Sequence, residues 1–543
     1  MTIWISAFRR HSSWLVPAGF GLLAFLTRSH HPTFDAWRYS LQVEAAVRLG
    51  RGLADPELWH PHHLAYSPLG YLVLRATRPL VGPVPALVVL QFLSAASAAV
   101  CLWALARILR ALPLGRDAAG TSRPGHVAAV LPLALSFAFW YYAGEAEVYL
   151  PALCFASAGV ATLLGRPAAG FRIPAAAALF VASALMHQMM VLLALPLAVW
   201  WLASHVHSWR SGLLFALLWG GGTFLSYFLV WRLVVQPAGG DGLDFAGWVT
   251  YLVHSGNREL LGWGHLDLGT PGRALVGLAR TVYGGHAVLA LDPAIMPTLR
   301  RLVPGAFIVH ELRVMDDTPR LVAWLAVSCT LASGAIWLAG AVRASRTRPA
   351  RALPPDPART GLLFGSWFLA MALFILWWEA DNPEFWLLAL PGLVMWMAVA
   401  TRGRWHRLIY SLGLLTLLGA VAMGSIVPKA MGPQAREISL FARAAQLPGG
   451  SGGGRIWPGF CEAFLPEPPL RPLWGRMPAA AALDSLVQDR DEGHARVWIL
   501  QDSVAFRHLA GRAVQIDNVG SWGVWSLATR ARARANGDRR PSP

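Results

Sequence analysis

The amino-acid sequence predicts an all-α polytopic membrane protein of about eleven transmembrane helices, followed by a small extracytoplasmic α/β domain. Three observations lead there. Of 543 residues, 55% are hydrophobic and only 14% charged, where a soluble domain carries about 25% charged residues. Apolar runs long enough to cross a bilayer recur along the chain. Arg-rich and acidic gaps alternate between them.

The basic excess, 46 Lys+Arg against 29 Asp+Glu for a net charge of +17, would suggest nucleic acid in a soluble chain. Here the arginines cluster in short gaps between apolar runs, so positive-inside loops account for them and no nucleic-acid partner is expected. Cys101, Cys154 and Cys329 sit inside apolar runs and only Cys461 lies in a polar stretch, which gives neither a disulfide framework nor a zinc pattern.

Arg9 and Arg10 precede an apolar run from Trp14 to Leu26 with no small-residue cleavage site after it, a retained first span. From Phe34 the apolar positions Phe34, Trp37, Leu41, Ala45 and Leu49 form a helical stripe, while Asp35, Arg38, Tyr39 and Gln42 share another face. That pattern predicts a helix lying on the membrane surface. Leu69 to Leu80 carries Arg75 and Arg78 and reads as a second surface helix. Val84 to Leu109 is the next span, and Arg107, Arg110, Arg116 and Arg123 mark its end as cytoplasmic, which places the Asp35 loop outside.

His126 to Tyr142 returns outward to a turn holding Glu145 and Glu147, and Leu150 to Leu164 goes back in. Ile173 to Leu202 is interrupted by His187-Gln188 and is long enough for two short spans turning there; a single tilted helix is the alternative. Gly212 to Val235 follows, with Arg232 near its outer end. A loop from Gln236 to Arg320 with amphipathic pieces is long enough to have a job. Leu321 to Val342, Leu362 to Trp378, Phe385 to Ala400 and Leu408 to Val427 complete the spans. The acids Glu379, Asp381 and Glu384 fall on an outer turn.

The membrane domain is therefore 1–428. Residues 429–543 form an extracytoplasmic domain, with a flexible joint at Gly449 to Gly454, strands at Val497–Leu500 and Ala513–Ile516, and a disordered Arg-rich tail after Thr529.

Asp35 is the leading catalytic candidate, an acid on an interfacial helix beside aromatic residues; the plainer reading is a solvated carboxylate paired with Arg38 three residues on. Glu145 and Glu147, two apart, point in nearly opposite directions if helical, so one of them faces a cavity, and Glu147 opens the next helix. His187 opens another. Helix N-termini expose unpaired N–H groups and suit a phosphate, so Glu145, Glu147, His187 and Arg232 are substrate-binding candidates. Arg232 could equally snorkel to the interface. His60, with His62 and His63, could contact substrate or a metal, though no defined ligand set is visible. Glu379, Asp381 and Glu384 could contribute to function or could equally be a loop that solvates a span end.

The segment Phe139-Trp140-Tyr141-Tyr142-Ala143-Gly144-Glu145-Ala146-Glu147-Val148-Tyr149 resembles the "FW.YA.EAEVY" signature of bacterial membrane proteins related to protein O-mannosyltransferases, within the GT-C glycosyltransferase superfamily. In that family an acid on the first outer loop precedes an HPPGYP-like stretch, and Asp35 is followed here by His60-Pro61-His62-His63-Leu64-Ala65-Tyr66-Ser67-Pro68-Leu69-Gly70-Tyr71. The Pro-Pro-Gly run is lost. The likeness extends to Ala184–Gln188 and to Trp248–Leu261.

This resemblance implies a multi-pass enzyme of the cell (inner) membrane, a hexosyl- or mannosyltransferase. It would take a sugar from a polyprenyl-phosphate donor and transfer it to a hydroxyl of a lipid, glycan or protein acceptor on the extracytoplasmic side, with Asp35 as general base. A divalent metal is a candidate cofactor. The alternative class is a transporter or flippase of lipid-linked substrates, which would place its ionisable groups near the bilayer midplane and often show inverted repeats.

Overall fold

A computed structural model describes residues 2–30, 32–48, 50–112, 126–165, 169–203, 209–238, 244–250, 264, 266–284, 320–346, 355–401, 407–430, 454–457, 496–500, 513–519 and 522–527. The chain divides into two compact units, one made of Met1–Gly240, Asp244–Thr250 and Leu261–Met431, the other of Asp241–Leu243, Tyr251–Leu260 and Gly432–Pro543.

The first unit is helical. In chain order it contains α1 (Thr2–Leu26), α2 (Phe34–Arg48), α3 (Tyr66–Val81), α4 (Ala86–Ala111), α5 (Leu131–Ala134), α6 (Phe137–Ala143), α7 (Tyr149–Leu164), α8 (Ala169–Met186), α9 (Ala194–Ala203) and α10 (Trp209–Val230). After these come α11 (Phe245–Val249), α12 (Thr270–Tyr283), α13 (Arg320–Arg346), α14 (Pro355–Trp378), α15 (Pro383–Thr401), α16 (Arg407–Val421) and α17 (Val427–Ala430). Among the described residues, 6 helices are long and apolar enough to cross a membrane: Ala86–Ala111, Trp209–Val235, Leu321–Arg343, Pro357–Trp378, Pro383–Thr401 and Leu408–Ile426. Shorter apolar helices run over Trp14–Leu26, Tyr149–Leu164, Phe171–Met186 and Gln188–Ala203. The chain is thus a multi-pass membrane protein, with fewer full-length spans described than the eleven expected.

α1 and α7 pack against α4, α8 against α7 and α10, α14 against α15 and α9, and α13 against α16. In lipid, helix association depends on close van der Waals fit and interhelical hydrogen bonds. Gly392 of α15 shows why small residues matter: a Cβ there would come within 2.7 Å of the Phe368 N atom and 2.9 Å of the Phe364 carbonyl oxygen on α14.

The segment expected as one span from His126 to Tyr142 is not one helix. It is a 3-10 turn (Ala128–Val130), then α5, then α6, because Ser136 is extended at φ −65° and ψ 147° and its hydroxyl bonds back to the Leu133 carbonyl at 2.7 Å. The break at His187 is real. α8 ends at Met186, His187 is extended, and a 3-10 stretch (Gln188–Leu193) leads into α9; a single helix through this run is ruled out.

The helices expected from Phe34 and from Leu69 are α2 and α3. Gly82, at φ +80°, ends α3 in a conformation glycine adopts at little cost. Pro85 gives the next helix, α4, no side-chain cap, and Glu44 of α2 supplies one: it accepts from the Ala86 N–H at 2.8 Å and from Arg78 of α3 at 2.7 Å. Val43, Ala46, Leu58, Tyr71, Leu74, Ala86 and Val89 form the apolar core beneath this junction.

In the second unit, strands β1 (Gly454–Trp457), β2 (Arg496–Leu500), β3 (Ala513–Val519) and β4 (Trp522–Leu527) form one sheet in the order β1-β2-β4-β3. β1 runs parallel to β2, and β4 is antiparallel to both β2 and β3, with a register shift between Gln515 and Asp517. The expected strands at Val497 and Ala513 are β2 and β3. The helices an α/β domain requires and the tail after Thr529 lie outside the described residues.

Candidate functional site

The start of α2 is fixed by Thr33, whose hydroxyl oxygen accepts the Ala36 N–H at 3.1 Å and whose O–H donates to the carboxylate of Glu147. Asp35 follows in the first helical turn, where the helix dipole favours an acid. Tyr39, one turn further on and 3% exposed, sets its ring edge against His63 at 4.6 Å and Tyr66 at 5.1 Å.

The histidines sit on short 3-10 turns whose prolines, Pro56 and Pro61, fix the first backbone angle. His60 Nδ1 accepts the His62 N–H at 3.3 Å, so the proton of a neutral His60 ring sits on Nε2. His60 and His63 stack at 4.4 Å, with 10° between planes. The turn is held from two sides, by the Ala65 N–H on the Leu185 carbonyl at 2.9 Å and by the Tyr227 hydroxyl on the Pro61 carbonyl at 2.7 Å. Burial pushes His62 down to about 4 and His60 and His63 well below the usual imidazole range, and the nearby Arg38 charge adds to each shift. All three are neutral near pH 7. Nε2 of His62 and Nδ1 of His63 are buried without a hydrogen-bond partner among the described residues, and a buried polar atom left in that state calls for a partner.

Glu145 and Glu147, both at most 1% exposed, lie in the turn between α6 and α7. Gly144 ends α6, so the helical spacing assumed for the pair does not apply, and Glu147 stands two residues before the first residue of α7 rather than opening it. The Ser29 N–H binds the Gly144 carbonyl at 3.0 Å, and Ser94 of α4 satisfies both backbone groups of Glu147, donating to its carbonyl at 3.2 Å and accepting from its N–H at 3.4 Å. Burial raises the Glu147 carboxyl well above its usual range, and the charges of Glu384 and Asp35 raise it further against the Thr33 hydrogen bond.

His187 caps its own turn: its Nδ1 accepts the Met189 N–H at 3.2 Å. The helix N-terminus that the sequence offered to an anion is therefore a short 3-10 turn with that donor already used. Its ring instead packs 5.1 Å from Tyr149 and 6.5 Å from Phe385. Arg232 is also placed away from this cluster; it is exposed in the π-turn Trp231–Val235 and donates to the side chain of Gln236. The cation whose field acts on the histidines is Arg38.

In the sequence Glu384 stands out only as one of three acids on an outer turn, open to a functional or a solvating role. It stands in the first turn of α15, 6% exposed, and its carboxylate accepts from the hydroxyls of Tyr142 at 3.2 Å and Tyr149 at 2.8 Å. Asn382-Pro383-Glu384 is a helix-start pattern, and the Asn382 side chain does accept the Glu384 N–H at 2.9 Å. That signal places the helix but not its partners.

Asp35, Glu147, Glu384 and the histidine turn thus form one polar cluster, walled by Tyr39, Tyr149, His187 and Phe385. Chemically it offers carboxylates to take a proton or hold hydroxyls, imidazole N–H donors and a guanidinium to meet an anion, and aromatic faces for a sugar ring. Among the described residues, no group of three or more His, Cys, Asp or Glu side chains converges as a metal site.

No protein-family model matches the chain, and no curated protein matches it. It is similar to solved structures. One is ArnT from Cupriavidus metallidurans bound to undecaprenyl phosphate, with 13% identity over 98% of this chain and 99% of that one and a TM-score of 0.48. Another is the Archaeoglobus fulgidus oligosaccharyltransferase in its apo form, with 13% identity over 84% of this chain and 63% of that one and a TM-score of 0.42. Neither bears the name of a protein O-mannosyltransferase.

Proposed function

We propose that the chain is an inverting membrane glycosyltransferase that moves a sugar from a polyprenyl-phosphate donor to an acceptor hydroxyl on the extracytoplasmic side. The observation that carries this is the Thr33–Glu147 hydrogen bond, which brings the first turn of α2, and Asp35 with it, to the turn of buried acids behind α6. Asp35 is the general base for the acceptor hydroxyl. The acceptor oxygen attacks the anomeric carbon from the face opposite the phosphate, its proton passes to the Asp35 carboxylate, and the carbon–oxygen bond to phosphate breaks with inversion.

The leaving phosphate gains negative charge as that bond breaks. Arg38 and the N–H groups of neutral His60 and His62 suit it, because a preorganised donor in a water-poor site stabilises developing charge without reorganising. Glu147, whose carboxyl burial raises, can hold a sugar hydroxyl. A hexose such as mannose is the sugar that the resemblance of the Phe139–Tyr149 segment suggests.

The ionisable groups occupy turns between apolar helices, Glu147 between α6 and α7 and Glu384 at the start of α15, which favours chemistry at one membrane face over transport through the midplane. Purified protein reconstituted with polyprenyl-phosphate sugars and hydroxyl acceptors tests the reading. Acceptor glycosylation with release of polyprenyl phosphate is expected. Lipid translocation across vesicles with no sugar release would place the chain among transporters instead.

A further inference from the structure

Among the described residues, the second half of the chain brings one acid, Glu384, to the cluster, and both of its oxygens are engaged, Oε1 by Tyr142 and Oε2 by Tyr149. A carboxylate so occupied is placed to hold its neighbours and not to touch substrate. Tyr149 is the neighbour that matters, because its ring lies against His187 at 5.1 Å and Phe385 at 6.3 Å, where it forms the aromatic wall of the site.

The turn bearing Glu384 is itself clamped from outside. α12, a helix of the long loop after α10, lays Gly277 so close to it that a Cβ would stand 2.5 Å from the Ala380 carbonyl oxygen. One turn along α12, Arg280 donates to the Asp381 carbonyl at 3.3 Å, and Trp386 closes the turn by donating to the Ala380 carbonyl at 2.7 Å. A helix, a turn and a carboxylate are thus assembled on two tyrosine hydroxyls. No part of this arrangement is needed to start α15, which Asn382 already caps.

Resting on the glycosyltransferase reading above, we infer that Glu384 is a positioning residue, which fixes the Tyr149 ring as the surface a sugar stacks on, with Gly277 of α12 as the support behind it. Each carboxylate oxygen accepts from one hydroxyl, whereas the amide of Glu384→Gln offers one acceptor and one donor, so one tyrosine hydroxyl must reverse and accept from the NH2, which resets that contact and the ring it holds. Misplacing a substrate-contacting ring by about 1 Å is enough to cost about 10-fold or more in rate.

The test uses the full chain carrying 3-fluorotyrosine at position 149. In Glu384→Gln the fluorine resonance should shift or broaden as the hydroxyl contact that holds the ring is reset, and Gly277→Val should perturb it from the other side. An unchanged resonance in both variants overturns the inference whether or not the protein transfers sugar, so its failure is separate from failure of the glycosyltransferase reading. In the transfer assay, Glu384→Gln and Tyr149→Phe should each lower kcat/KM, and the double variant should be no worse than the worse single. Full additivity would mean that Glu384 does not act through Tyr149.

Discussion

Thr33 and Glu147 are joined side chain to side chain across 114 residues of sequence, and the same Thr33 oxygen caps the helix that carries Asp35. One hydroxyl therefore sets both the start of α2 and its distance from the acidic turn. Thr33→Ser should keep both bonds and near-normal transfer. Thr33→Val should lose a cap worth about 1 kcal/mol and also strand a buried carboxyl, so activity should fall more than the thermal midpoint alone implies. Equal activity per folded molecule in the two variants would uncouple the bond from catalysis.

Glu147→Gln and Glu145→Gln should differ. Both acids are buried, but Glu147 faces Thr33 and feels the charges of Asp35 and Glu384. The larger loss of transfer is expected at Glu147, measured as kcat/KM on the purified variants. Negligible losses at both would remove this turn from the site.

The histidine turn predicts a pH dependence of stability with a definite sign. Burial holds folded His60, His62 and His63 below their unfolded value of about 6.5. Below that pH the unfolded chain binds protons the folded chain refuses. The contribution is therefore complete above about 6.5 and is lost as pH falls toward the folded value of His62, about 4, at up to about 1.4 kcal/mol per pH unit for each histidine. Glu147, raised by burial, works the other way and loses stability as pH rises above its unfolded value. His187, pushed down to about 3 by burial, adds to the histidine side, and the buried histidines outnumber the buried acids that work the other way, so the thermal midpoint in detergent should drop between pH 6.5 and 4.5. His62→Gln should flatten the slope and Glu147→Gln should steepen it; a midpoint that rises on acidification would contradict the neutral-imidazole account.

Much of this arrangement is readable from local pattern. The span at Val84 to Leu109, the break at His187 and two tail strands each rest on runs and punctuation a few residues long, and the structure has a helix over Ala86–Ala111, an extended His187 and strands β2 and β3 in those places. What fails is pairing at a distance. Tyr149 and Glu384 are 235 residues apart, and nothing in the period of either segment indicates that they meet. The local pattern pairs Arg38 only with Asp35, because its action on the histidines exists only after the chain folds back. Arg232 stands out by its place at a span end, which says where a side chain sits along the membrane normal and nothing of its direction around the helix.

Glu44 separates structure from chemistry. It caps α4 and pairs with Arg78, with the two side chains 34% and 31% exposed. Glu44→Ala should therefore cost about 1 kcal/mol, most of it from the cap, and leave transfer per folded molecule unchanged. A selective loss of activity at full stability would bring this junction into the site.

Asp35→Asn decides the mechanism. The amide keeps the shape of the side chain and much of its hydrogen bonding but cannot take the acceptor's proton. If Asp35 is the base, kcat should fall by about 10²-fold or more. Insertion into the membrane and binding of the lipid-linked donor should persist, because the donor's phosphate is met by Arg38 and the histidine turn. If Asp35 only complements the dipole in the first turn of α2, its loss costs about 0.3–1 kcal/mol of stability and transfer continues. The two outcomes lie far apart on a transfer assay normalised to folded protein. Near-normal turnover in Asp35→Asn would end the general-base assignment, and the search for the base would move to Glu147, the buried acid that Thr33 binds directly.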